Sequence, residues 1–538
     1  MSRRNSSALA VLGAVALLTN ACELVPEQLP PFAEVKLVVD TDLEVDAFVP
    51  TLQLDLYDAS ETWFFSREIQ REDPRVWPVS FILTGPKADD PGAETTELLV
   101  RLRLYPDGKI RDYRGERFFP EGYLDDAPAG ACLPLLPESY GEREAKQLVQ
   151  RDVSGDSMPG FSPQNEPLPD LTIDRLVPVR IVPGKQGEIG IRLTGSCLGK
   201  QAGFGATTKP GDETVCIDGA YATPPTLEPE PLDPAGEASV VGTFPGARPC
   251  TAEPRVGGFD SFEDEVCVPG GLFFLGDPAV FAYGEFDAVP EQIAIAPALR
   301  VDRFEVTVGR FRKALEAGLL DGVPLPTVND AGLDLASADA TRHCTFTSKP
   351  HNFDRHPLNC VTWDTARAFC KAMGGDLPTE AQWEYVAAAS GREGRETRYP
   401  WGSEEPSCSR AVFARARTLA EGATACAIDE ADRGPQALRE NEADTGDVTP
   451  TGVVGMGGNV REFTLDDYRP YCSRCWFGAP LDDPRCTVDT SALRTVRGGD
   501  WAGNEDALLA GLRNEGLARD AWSPRVGFRC VRPGNPEK

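Results

Sequence analysis

Leu377-Pro-Thr-Glu-Ala-Gln-Trp-Glu-Tyr385 carries the most specific folding information in this chain. Thr379 is of the type that caps a helix, because its hydroxyl can accept from an unpaired N–H of the first turn. Trp383 and its aromatic neighbour Tyr385 follow in a fixed register and supply the large apolar area that a short helix needs to be held in place. Working outward, the segment sits among other dense clusters of Gly, Pro and aromatic residues. Upstream lie Val268-Pro-Gly-Gly-Leu-Phe-Phe-Leu-Gly276, Val301-Asp-Arg-Phe-Glu-Val-Thr307 and His356-Pro-Leu-Asn-Cys-Val-Thr-Trp363. Downstream lie Tyr399-Pro-Trp-Gly402, Gly455-Met-Gly-Gly-Asn-Val-Arg-Glu-Phe463, Arg497-Gly-Gly-Asp-Trp501 and Val526-Gly-Phe-Arg-Cys530.

Taken in this order, the landmarks from Val268 to Arg532 resemble the formylglycine-generating-enzyme, or sulfatase-modifying-factor, domain. Any one of them alone would be weak; the order carries the resemblance. It implies an irregular α+β fold related to C-type lectins. A helix is expected to follow the strand Val301–Thr307 and to continue through Phe311–Leu320, and a second over Asp364–Met373, with Asp364 where a carboxylate suits the helix dipole. Ala366, Phe369 and Cys370 then share one helical face.

The resemblance also implies a site, and the residues are checked against it one by one. Enzymes of this family that oxidise a sulfatase cysteine bind copper(I) through two cysteines shortly after the Arg-Gly-Gly motif, soft thiolates being what that ion requires. Those positions fall here on Gly503 and Leu508, and the expected serine is Asp500. No cysteine lies between Cys486 and Cys530, which argues against copper and against formylglycine formation. Asp500, Trp501, Asn504 and Arg513 stand where the family binds substrate peptides. Iron-dependent relatives use a histidine triad. This chain has only His343, His351 and His356, within one loop region, which argues against iron. A family calcium site maps onto Gly458, Val460 and Glu462, oxygen donors of the kind a hard cation prefers. Gly455 replaces a side-chain ligand there, and Val412 stands where a second family calcium site expects an Asn, so calcium is expected to bind weakly at the first site and not at the second. The competing role for Glu462 is a buried acceptor for backbone amides or Arg497.

The remaining sequence sets the context. With 538 residues and 41% apolar content, the chain is long enough for at least two domains. Lys and Arg total 54 against 84 Asp and Glu, a net charge of −30, which excludes nucleic acid as a natural partner. Arg3 and Arg4, an apolar run from Ala8 to Leu18, and Thr19-Asn20-Ala21-Cys22 form an export signal too short to span a bilayer. The small residue before Cys22 resembles a bacterial lipobox, so residues 1–21 are expected to be removed and Cys22 lipidated. Glu23 after the cysteine favours the outer membrane of the cell envelope, without fixing the periplasmic or the surface side.

Residues 22–34 read as a tether. Residues 35–220 read as a β-sandwich-like domain, from the runs Val35–Asp40, Leu52–Tyr57, Leu98–Leu104, Val177–Val182 and Ile189–Thr194. Residues 221–254, rich in Pro and Glu, read as a linker, and 255–535 as the sulfatase-modifying-factor-like domain. Setting Cys22 aside leaves an even 14 of the 15 cysteines, consistent with disulfides in an exported protein. Cys197 and Cys216 are expected to pair. Cys472, Cys475 and Cys486 are better read as disulfide partners than as zinc ligands. The expected function is a lipid-anchored envelope protein whose domain binds a small molecule or a protein. The alternative is a non-haem metal oxidoreductase of the same superfamily using a different site.

Overall fold

The structure is a computed structural model that describes residues 32–111, 166–203, 215–255, 261–277, 292–329 and 340–535, with short interruptions. The export signal, Cys22, His351, Cys472 and Cys475 lie outside the described residues. Among those described, no helix is long and apolar enough to cross a membrane.

In the N-terminal half, Phe32–Thr41 alternates strictly, with Ala33, Val35, Leu37, Val39 and Thr41 buried. That period of two makes it the centre of a three-stranded sheet, antiparallel to Val79–Lys87 and parallel to Gln186–Leu193. A second, antiparallel sheet has the order Trp63–Gln70, Thr51–Asp58, Thr96–Tyr105, Ile173–Ile181. Leu52, Leu54, Val100, Leu102, Leu104, Val177 and Val179 of this sheet join the inward residues of the first in one apolar cluster. On the other face of Thr96–Tyr105, Arg101 and Arg103 are buried as well. Arg103 pairs with Asp55 at 2.6 Å and Arg101 with Asp174 at 2.7 Å.

All the strand runs expected in this half form. Trp63–Gln70 and Val79–Lys87 were not foreseen, nor were the short pairs Ile110–Arg111 with Glu166–Pro167 and Val215–Ile217 with Ala220–Ala222. Cys197 and Cys216 form a disulfide. Phe274 and Ile293, from the C-terminal half, belong to the N-terminal cluster, and the rings of Phe48 and Phe274 are 5.1 Å apart.

The C-terminal half is a mixture of short strands and short helices, as expected of an α+β domain. Helix α1 spans Val308–Glu316 and α2 spans Trp363–Ala372, each begun by a threonine side chain, Thr307 or Thr362, accepting from the first turn. Helix α1 ends well before Leu320, because Gly318 takes a positive φ and closes it. Helix α3, Glu380–Glu384, has a full capping box in which Thr379 and Gln382 satisfy each other's backbone amides. A four-stranded sheet of order Leu517–Ala518, Leu493–Arg497, Arg461–Asp467, Val526–Gly527 underlies these helices. Ala366, Phe369 and Cys370 are fully buried against Phe463, Val496 and Phe528, and Cys370 is bonded to Cys530 across 160 residues. Three further disulfides join Cys250–Cys267, Cys344–Cys360 and Cys408–Cys426. Cys486 is also disulfide-bonded.

Candidate functional site

The sequence landmarks converge on a buried lattice of three arginines and three glutamates, none more than 3% exposed. Helix α3 delivers Glu380, Trp383 and Glu384. The strand before Gly498 delivers Arg497, the segment after it Arg513, the strand Arg461–Asp467 Glu462, and the last landmark Arg529.

Arg529 binds both oxygens of Glu462 at 2.6–2.8 Å and donates to the carbonyls of Asp302 and Val454. Trp383 Nε1 donates to Glu462 Oε2 at 2.8 Å. Arg513 holds Glu380 with two bonds of 2.7 and 2.9 Å. Arg497 pairs with Glu384, whose other oxygen accepts from Gly276 N. Charges this deep persist only when paired and hydrogen-bonded, which makes the signature residues the framework of the domain.

Four residues placed at the family's peptide surface separate accordingly. Asp500 is fully buried: Oδ1 accepts from Ala502 N, Gly503 N and Arg525 Nε. Arg461 Nε stands 2.7 Å from its Oδ2 as an ion pair without hydrogen-bond alignment. Arg513 is held by Glu380, as described. Trp501 is 5% exposed, donates Nε1 to Pro524 O, and lies with its ring 4.6 Å from that of His343. Only Asn504 is exposed, and it donates to Asp506. The expected surface therefore reduces to Asn504, because the others are needed inside. At the copper positions, Gly503 is half-buried and Leu508 is wholly buried beside Tyr399, Phe413 and Leu509.

The calcium set also needs correction. Glu462 is the buried acceptor, although its cation is Arg529 rather than Arg497. Both of its oxygens are used, so it has no charge left for a metal. Gly455 has φ of 77°, and a Cβ there would stand 2.7 Å from the Glu305 carboxylate. A ligating Asp or Asn at this position would collide with that carboxylate. Gly458 N donates to Asp447, and the Val412 carbonyl accepts from Asn459 N. Glu462 and Gly455 therefore do not supply the side-chain donors that the family mapping asks of them. Among the described residues, no three His, Cys, Asp or Glu side chains are grouped to hold a metal ion.

A cavity of about 270 Å³ opens beside Trp501, between residues 342–345, 353–356 and 431–437 with Arg415. It brings His343 and His356 together. Burial, reinforced by Arg342 and Arg433, lowers His343 to about 4. Burial also lowers His356 to about 4, against an opposing effect of the Phe353 backbone. Its Nδ1 nevertheless has no aligned hydrogen-bond partner. Both rings are therefore neutral near pH 7. Arg342, Phe353, Arg415, Arg433 and Gln436 were not foreseen as site residues, because they come from separate loops with no common spacing.

A loop-rich α+β domain built round buried Arg–Glu pairs, with an oxidised set of cysteines, is the class of protein these features define. The sulfatase-modifying factor enzyme 1-like domain family matches residues 254–533, and the chain belongs to that family. It is 26% identical to a formylglycine-generating enzyme of Streptomyces coelicolor, covering 50% of this chain and 90% of that protein. It is 27% identical to a hercynine oxygenase of Mycolicibacterium smegmatis, covering 54% of this chain and 61% of that one. An inactive C-alpha-formylglycine-generating enzyme 2 of Bos taurus is 29% identical over 32% of this chain and 50% of its own length. Among solved structures, PvdO from Pseudomonas aeruginosa matches with a TM-score of 0.38 and 22% identity, over 53% of this chain and all of that one.

Proposed function

We propose that this protein is a lipid-anchored cell-envelope protein whose sulfatase-modifying-factor-like domain binds a ligand or protein partner and does not form formylglycine. The observation that carries this is the pair of residues at the copper positions. Gly503 has no side chain to ligate, and Leu508 is 0% exposed in an apolar cluster. Thiolates at these positions would be the electron-rich donors that hold copper(I). A glycine and a buried leucine offer none. The N-terminal half, with its two sheets on one apolar cluster, is proposed as a sandwich module that presents the second domain.

The oxidoreductase alternative gains one supporting observation, since His343 and His356 share a cavity. Three guanidiniums line the same cavity, and a metal cation is disfavoured beside them.

Two experiments test the proposal. The full-length protein, supplied with copper(I), oxygen and a cysteine-bearing sulfatase peptide, is expected to leave the peptide mass unchanged. Appearance of the aldehyde would overturn the binding reading. For the anchor, Cys22→Ser is expected to move the protein from the membrane to the soluble fraction, and unchanged membrane association would sink the lipobox assignment.

A further inference from the structure

We infer that the cavity beside Trp501 is a binding site for a small organic carboxylate. The inference deepens the binding function proposed above and rests on it. It begins with the charges on the wall. Arg342, Arg415 and Arg433 line the cavity, against the single carboxylate Asp432. Arg415 is committed internally, with Nε donating to Gly434 O at 2.9 Å and Nη2 reaching Asp432. These two neutralise each other and leave Arg342 and Arg433 as the net positive pair.

Their partners are exposed carboxylates outside the cavity lining. Arg342 reaches Glu430 at 3.4 Å, and Arg433 reaches Glu430 at 2.9 Å and also Glu421. The Glu430 side chain is 58% exposed and that of Glu421 46%, whereas the two arginine side chains are 17–18% exposed. Ion pairs with such exposed carboxylates contribute under about 1 kcal/mol. An incoming anion can therefore displace them.

The second observation concerns hydrogen bonds. Arg342 Nε and Arg433 Nε are buried donors with no acceptor, and His356 Nδ1 is buried without an aligned partner. Unpaired buried polar groups are rare in folded proteins and each costs roughly 1–3 kcal/mol. A carboxylate brings two oxygens able to accept from planar guanidiniums, the pairing in which arginine exceeds lysine. The neutral imidazoles add a donor and an acceptor without adding charge.

The apolar wall selects an organic anion over inorganic phosphate. Phe353 lines the cavity with its ring 5.0 Å from that of His356, and the His343 ring rests on Trp501. The volume, just below the usual range of about 300–1,000 Å³ for ligand pockets, suits a single small acid or the carboxylate end of a peptide.

Isothermal titration of the full-length protein at neutral pH distinguishes these sources. Benzoate, a free peptide with a C-terminal phenylalanine, its C-terminal amide, benzamide and phosphate are the probes. The expected result is saturable one-to-one binding of benzoate or the free-acid peptide and none of either amide. Arg342→Gln and Arg433→Gln should each weaken binding by about tenfold or more, the scale of one charge-assisted hydrogen bond. Arg519→Gln, in an exposed pair with Asp364, should leave it unchanged. If an arginine variant fails to fold by circular dichroism, Arg433→Lys replaces it and should bind more weakly than the parent.

Saturation by phosphate alone, equal binding of acid and amide, or full affinity in the folded arginine variants would overturn the inference, as would no binding at all. The copper assay fails or succeeds independently. A protein that binds benzoate and also makes aldehyde refutes the pseudo-enzyme, whereas one that does neither refutes only this site.

Discussion

Arg529→Met is expected to lower the unfolding free energy by about 3–5 kcal/mol, the cost of leaving a buried charge uncompensated. Glu462 is 1% exposed, and both its oxygens rest on Arg529. Removing the guanidinium strands that carboxylate close to Asp302 and Glu305, whose charges act on Arg529, and leaves the carbonyls of Asp302 and Val454 without their donor. The expected readout is a shift of the urea midpoint followed by tryptophan fluorescence, with a slope like the parent's.

A double variant, Arg529→Met with Glu462→Gln, should recover part of the loss, because the stranded charge goes with its partner. A single variant as stable as the parent would show that the Arg–Glu lattice is not the framework of the domain. A double variant worse than the sum of its singles would show that Trp383, which also donates to Glu462, depends on the charge itself.

This lattice marks the boundary of what the sequence disclosed. Features written locally were legible: the Thr379 cap, the common face of Ala366, Phe369 and Cys370, the alternating runs of the N-terminal sheets, and the pairing of Cys197 with Cys216. Each depends on residues close in the chain, where helical or strand period leaves a mark.

Pairings made by topology were not legible. Arg497, which with backbone amides is one of the two kinds of partner expected of a buried Glu462, stands opposite it in the antiparallel ladder, but facing positions do not fix which cation a long side chain meets. Arg529, 67 positions away, reaches it instead. Asp500 and Arg513 are expected on a surface because the family resemblance maps them to its peptide-binding face, and nothing in their spacing announces Arg461, Arg525 or Glu380 as partners. The strand Trp63–Gln70 escaped notice because it is largely exposed at the edge of its sheet. With no buried face, it shows no alternation. The cavity at Trp501 is the extreme case, assembled from three loops whose residues share no period.

The carboxyl buried beneath Gly457 and Gly458 should also set how stability responds to pH. Asp447 is buried beneath Gly457 and Gly458, whose N–H groups donate to its Oδ2 at 2.6 and 2.9 Å. Burial raises its carboxyl from 3.8 to about 7, outweighing those amides and the attraction of Arg529. Between about pH 4 and about pH 7 the folded protein keeps this proton while the unfolded chain releases it, so the contribution is full below the window and lost as pH rises through it.

Asp466, raised to about 7 mainly by burial, acts in the same direction. His343 and His356, both lowered to about 4, oppose them, because their contribution is full above about pH 6.5 and is lost as pH falls. The total profile therefore mixes both signs, and the difference between the parent and Asp447→Asn isolates one group. Asparagine keeps an oxygen for the two amides and has no proton to lose. Relative to the parent, the variant should gain up to about 1.4 kcal/mol for each pH unit across the window. Urea midpoints taken at about pH 5 and about pH 8 measure this difference. A difference that stays constant with pH would mean that Asp447 is ionised in the folded state throughout, with the Gly457 and Gly458 amides outweighing its burial.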